Sequence, residues 1–218
     1  MDVQSSVSFF RRLDRAIIVC LLIAVLLVIL IAIQPWIDPR WLYLDTQTVG
    51  ELSGDCCHIY DGAVSNLGLM LWASTAAVAL FGALLCVATD RPRAAIFSLH
   101  GFVLSAVLAV DDAYLLHEIV APKIGIPQVV FLGLIGLTAM SYFILQRRFL
   151  LRSGRWVLAI SLMGFAISLG IDQVYHSIEP FWVVAEDGPK FVGIVAWFLF
   201  HLRAQLALIL DQTEPDLA

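Results

Sequence analysis

The chain has 218 residues, of which 61% are hydrophobic and only 14% charged, with a formal net charge of −5 at neutral pH. A soluble domain is nearer about 45–50% apolar, so an ordinary water-soluble globule is excluded. The acidic balance also argues against a nucleic-acid partner, which calls for a basic surface.

The first apolar segment, about residues 16–34, follows Arg11, Arg12 and Arg15. It is too long for a signal-peptide core and has no small-x-small cleavage site before Pro35, so it is expected to remain as a first helix. Runs of about 20 apolar residues cross a bilayer core. Five more follow, at about residues 65–88, 95–117, 128–146, 156–175 and 190–210. The longest connection, residues 35–62, carries Trp36, Trp41, Tyr43 and Tyr60. Such residues suit a membrane interface, and the segment is expected to lie across the outer surface. The acidic tail, residues 211–218, is expected to fray. The predicted fold is a single integral membrane domain over residues 1–218, an all-α, six-span transmembrane helix bundle built from related helical hairpins.

Basic residues set the orientation. Nine of them flank one side of the spans: Arg11, Arg12, Arg15, Arg91, Arg93, Arg147, Arg148, Arg152 and Arg155. The other side has Arg40, Lys123 and Lys190. The positive-inside rule then places both termini in the cytoplasm of a bacterial inner-membrane protein. Twelve of the eighteen carboxylates fall at or beyond the outer ends, with His58, His117 and His176 at the same level. Convergent carboxylates and imidazoles suit cations, either metal or organic. For Asp38, Asp45 and Glu51, simple solvation is the preferred account.

One pattern occurs twice. Asp111, Tyr114 and Glu118 repeat the spacing of Asp172, Tyr175 and Glu179, each in the form L-x-[VI]-D-x-x-Y-x-x-x-E at the end of an apolar run. On a continuous helix these positions share one face. Ionisable groups there are functional candidates by default. Gly68 with Trp72 and Gly193 with Trp197 give a fainter echo, with glycine permitting close helix approach.

The individual residues divide into competing readings. Asp111 and Glu118 share a face, while Asp112 and His117 point to other sides of the same helix. Asp172 and His176, at i and i+4, are placed to chelate a divalent ion with one or two further ligands. Asp111, Glu118, Asp172 and His176 are therefore the candidate metal ligands, and His117 or Glu186 the candidate acid or base. Glu186, Asp187 and Lys190 are expected at the start of the sixth helix, where acids also favour the macrodipole. Lys190 is equally suited to pairing with Asp111 or Glu118. Tyr114 and Tyr175 read as interfacial residues, or as hydroxyls bonding into the cluster. Cys56-Cys57-His58 lacks the spacing of haem attachment. Cys20 and Cys86 read as small apolar residues within spans. His100 and His201 fall in the inner half of the membrane, each expected to bond a neighbouring helix or a backbone carbonyl. Ser65 and Asn66 either cap the second helix or line the site.

Two resemblances follow from these motifs. Asp111-Asp112-x-x-x-x-His117-Glu118 together with Glu186-Asp187-Gly188-x-Lys190-x-x-Gly193 resembles a pattern in a group of uncharacterised bacterial multi-pass membrane proteins, which implies no activity. The polar spans and the Ser65-Asn66 pair resemble the alkaline ceramidase and progestin-receptor-like membrane hydrolase superfamily. That family's zinc site uses a His-x-x-x-His pair. His201 has no partner at that spacing, so no zinc ligand is carried over.

The sequence favours one function and leaves two alternatives. The first is a metal-dependent enzyme acting on a lipid or lipid-linked substrate, with a divalent ion lowering the pKa of bound water. The second is a cation or proton transport or sensing protein using the same carboxylates. The third is a structural membrane subunit whose polar cluster joins helices. Membrane lipids are the expected surroundings in each.

Overall fold

The computed structural model describes residues 3–54, 58–175 and 177–210. Its elements are helices throughout, with no strand among the described residues. They are α1 (Val3–Ile33), α2 (Pro39–Tyr43), α3 (Thr46–Ser53), α4 (Ala63–Ala88) and α5 (Pro92–Tyr114), then a π-helical turn (Leu116–Val120). The remainder are α6 (Ala121–Lys123), α7 (Gln128–Leu145), α8 (Arg147–Arg152), α9 (Arg155–Val174) and α10 (Pro180–Leu210). Six stretches are long and apolar enough to cross a membrane: Ser8–Ile33, Ala63–Ala88, Pro92–Tyr114, Gln128–Leu145, Arg155–Val174 and Pro180–Leu210. The chain is an all-α, multi-pass membrane protein.

Two compact units make up the fold. One consists of Leu69–Arg155 with the part of α10 from Phe198, the other of the described chain before Leu69 with Trp156–Trp197. In the second unit, the connection over residues 35–62 is built from two short capped helices. Asp38 accepts from the Arg40 backbone N–H and pairs with its guanidinium at 2.6 Å, opening α2 with Pro39 in its first turn. Burial works against this carboxylate, but the hydrogen bonds and charge of Arg40 together hold its pKa below the usual value. Asp45 caps α3 by accepting from the N–H groups of Gln47 and Thr48. Gly62 then turns the chain into α4 at a φ of 66°. A Cβ there would meet Thr46 Oγ1 at 2.9 Å and the Leu44 carbonyl at 3.2 Å, so glycine alone fits.

Helices α9 and α10 pack closely in the same unit because small residues face each other. A Cβ on Gly164 would lie 2.5 Å from the Pro189 carbonyl oxygen, and one on Gly193 would lie 3.1 Å from that of Ser161. The Ser161 hydroxyl donates to the Gly193 carbonyl at 2.9 Å. Small residues with an interhelical hydrogen bond are a usual means of holding spans together in lipid. The close approach expected at Gly193 is present.

Two helix boundaries differ from those the sequence suggests. The last span was expected from residue 190, but α10 begins at Pro180, so Glu186, Asp187 and Lys190 lie within the helix rather than at its start. The macrodipole account therefore does not apply to them. Glu179 closes the loop before α10, its backbone carbonyl accepting from the N–H groups of Trp182 and Val183. The third span was expected to reach residue 117, but α5 stops at Tyr114 because Leu115 adopts a left-handed conformation with φ 49°. Ser65 and Asn66 fall within the first turn of α4.

Candidate functional site

The end of α5 builds the densest polar group. A left-handed residue other than glycine or asparagine costs about 1–2 kcal/mol, and here Leu115 turns the chain back on itself. Its N–H bonds the Asp111 carbonyl, and the π-helical turn follows at once. Turns of this kind concentrate at functional sites. The reversal carries His117 back to Asp111, four residues before the break. The backbone N–H of His117 donates to Asp111 Oδ1 at 3.0 Å, and its ring Nδ1 lies 2.7 Å from Oδ2. On the far side of the ring, Nε2 lies 3.4 Å from Glu118 Oε1.

The imidazole thus sits between two carboxylates. Asp111 is buried, the His117 side chain is 19% exposed and that of Glu118 is 53% exposed. Hydrogen bonding to Asp111, and then to Glu118, pushes the His117 pKa up to about 9, against a smaller opposing effect of burial. The ring is therefore cationic at neutral pH. Beside it, Asp112 Oδ2 accepts from the indole N–H of Trp72 at 3.0 Å.

The single-face line of Asp111, Tyr114 and Glu118 does not form, because the helix ends inside it. Tyr114 is 68% exposed, and His117, expected on another side of the helix, takes the place beside Asp111. The second copy is interrupted in the same way. Helix α9 ends at Val174, short of both Tyr175 and Glu179. Asp172 lies half-buried on α9, accepting from the Gln173 side-chain amide at 3.1 Å. Tyr175 stacks on Trp182 with ring centroids 3.8 Å apart. His176, the proposed i+4 partner of Asp172, lies outside the described residues, as do Cys56, Cys57 and the acidic tail. Among the described residues, no group of three or more His, Cys, Asp or Glu side chains is arranged to hold a metal ion.

The second unit contains a different polar group. Glu186, Asp187 and Lys190 are half-buried on α10. Burial first, and the charge of Asp187 second, push the Tyr43 phenol well above its usual pKa. Its hydroxyl is buried and makes no hydrogen bond. His58 lies on the connection before α4, where its backbone N–H donates to Asp61 at 2.7 Å.

Several interior polar residues of the first unit were not singled out by sequence. Tyr142 Oη lies 3.1 Å from His201 Nε2, the Gln146 amide 2.9 Å from His100 Nδ1, and the Ser98 hydroxyl donates to Gln205 Oε1 at 2.9 Å. These contacts agree with the expectation that His100 and His201 bond neighbouring helices. A glutamine within an apolar span, which must find a partner in lipid, was the signal that would have revealed Gln205.

Comparison with curated proteins and with solved structures gives no match. A family model does match, over residues 16–204, covering most of every span together with the turn that joins His117 to Asp111. The chain belongs to the family described as Domain of unknown function (DUF8692).

Proposed function

We propose that this is a bacterial inner-membrane protein of cation or proton transport or sensing, in which Asp111, His117 and Glu118 hold and release a proton. The observation that carries this reading is the position of His117, with each ring nitrogen beside a carboxylate. Below its pKa the imidazolium neutralises the buried Asp111. Loss of the proton leaves that carboxylate without its cation and favours release of the turn after Leu115. Acceptor carboxylates, a titrating ring and a strained turn are the components of a pH-sensitive switch. Nine basic residues on one side of the spans against three on the other support cytoplasmic termini and an outer-leaflet position for the group.

The test is nuclear magnetic resonance of ring-labelled histidine in the protein reconstituted in lipid nanodiscs. His117, assigned by loss of its signal in His117→Gln, is expected to remain an imidazolium at pH 8 and to titrate near 9. A neutral ring at pH 7 would overturn the reading.

A metal-dependent enzyme acting on a lipid, the other reading the sequence opened, requires a stoichiometric divalent ion in the purified protein together with turnover of a labelled lipid. The resemblance to uncharacterised bacterial membrane proteins bears equally on both readings.

A further inference from the structure

Within the first unit, the end of α4 and the start of α5 enclose a groove of about 340 Å³, lined by apolar residues alone. Its floor is two alanines, Ala83 and Ala95, each buried. Its rims are large and exposed, Leu84 and Val87 from α4 and Ile96 and Leu99 from α5. Small residues set below large ones make the concavity. Val87 and Pro92 bring one end of the groove to the short connection over residues 89–91. Two spans meet there, so that end lies at the level of lipid headgroups.

The headgroup end is basic. Arg91 is buried, donating through Nε to Thr89 Oγ1 at 3.0 Å and through a terminal nitrogen to the Leu208 carbonyl. Both acceptors are neutral, so its charge is not cancelled by them. Arg93, about one turn before Ile96 of the rim, is exposed and makes no hydrogen bond or ion pair among the described residues. The start of α5 has no side-chain cap, and the N–H groups of its first turn add positive potential. At this end of the unit, Asp90 is the one carboxylate among the described residues. The arginines of α8 belong to another face of α5, where Phe149 stacks on Phe97 with ring centroids 5.1 Å apart.

Lipid tails are as apolar as leucine, so the groove by itself selects no particular lipid. Selection has to come from the headgroup, and an exposed guanidinium beside uncapped N–H groups suits a phosphate. We propose that the groove holds one acyl chain of an anionic phospholipid whose phosphate is bound by Arg93. A zwitterionic lipid carries the same phosphate but brings a cation against Arg91 and Arg93, which disfavours it. The positive-inside rule accounts for arginines on this side of the membrane, but not for an apolar groove ending beside one of them. The site is separate from the Asp111–His117 group and does not depend on what that group does.

The experiment is native mass spectrometry of the full chain, delipidated in a non-ionic detergent and titrated with phosphatidylglycerol or phosphatidylcholine of identical acyl chains. The first phosphatidylglycerol adduct is expected at a concentration about fivefold lower than the first phosphatidylcholine adduct, the scale of one basic residue at a lipid surface. Arg93→Gln, a change at an exposed position, should abolish that difference, and Arg93→Lys should keep most of it. Arg152→Gln on α8 should leave it intact. Ala95→Leu, which raises the floor, should lose the first adduct of either lipid while the protein still elutes as a single species. If that variant fails to fold, the Arg93 pair decides. Equal binding of the two lipids by the wild type, or an undiminished preference in Arg93→Gln, overturns the site. A dimer mass without lipid would give the groove to a second copy of the chain and overturn it as well.

Discussion

Asp111 receives two bonds from one residue, the backbone N–H of His117 at 3.0 Å and its ring Nδ1 at 2.7 Å. A buried carboxylate needs such compensation, since removing one partner of a buried pair costs about 3–5 kcal/mol. The bond also fixes the ring's orientation, because backbone and side chain of His117 are held by the same group. The turn between Leu115 and Val120 is thus tied to the end of α5 by a titratable contact.

That contact gives stability a direction in pH. The folded His117 pKa is about 9, above the ordinary value of 6.5. The contribution is fully present below pH 6.5 and is lost as pH rises through 9. Its size is about 3 kcal/mol. Melting temperature measured from pH 6 to 10 should fall more steeply in the wild type than in His117→Gln. Parallel curves would show that this group does not couple protonation to stability.

Leu115 carries the strain that makes the reversal. Replacing it with glycine removes the steric penalty of the left-handed conformation, about 1–2 kcal/mol, against the greater backbone freedom of glycine in the unfolded chain. Leu115→Gly should therefore be neutral or slightly stabilising. Leu115→Val should destabilise, since a β-branched residue fits this region worse. Thermal melts of the two variants decide the matter, and a loss in Leu115→Gly larger than in Leu115→Val would contradict the strain account.

The six spans were legible because the length of an apolar run needs no knowledge of its neighbours. What the sequence concealed lies where one residue departs from its local tendency. Leucine is not a turn residue, so nothing announced that α5 would break at Leu115 and return His117 to Asp111. The Glu186-Asp187-Gly188-Pro189-Lys190 run reads as a helix start, yet α10 passes through it. Pro189 withholds only its own N–H, and the helix resumes on the apolar residues beyond. Long-range pairs were least accessible. Tyr142 and His201 are 59 residues apart, and spacing along one helix says nothing about such partners.

Topology offers a direct check on the charge asymmetry. Alkaline phosphatase is active only outside the cytoplasm, so fusion after Gly154 should be inactive and fusion after Gly125 active. Gly154 follows Arg147, Arg148 and Arg152, while Gly125 follows the turn that contains His117. The reverse pattern would invert the orientation and move the Asp111–His117 group to the cytoplasmic side.

The fit of Gln205 into the notch at Gly82 allows a reciprocal test. A Cβ at position 82 would fall 1.9 Å from Gln205 Oε1 and 2.6 Å from its Cδ, closer than atoms can approach. Displacing the amide would break its 2.9 Å bond from the Ser98 hydroxyl. Gly82→Ala alone should therefore cost about 1–3 kcal/mol through overpacking and a lost buried hydrogen bond. Gln205→Ala alone leaves Ser98 unpaired and opens a cavity, so it should also destabilise. In the double variant the new methyl occupies part of the space vacated by the amide, and the combined loss should be smaller than the sum of the two. Direct contact of this kind gives a coupling of about 0.5–3 kcal/mol. Melting temperatures of the four proteins in one detergent measure it, and strict additivity would show that Gly82 does not receive the Gln205 side chain.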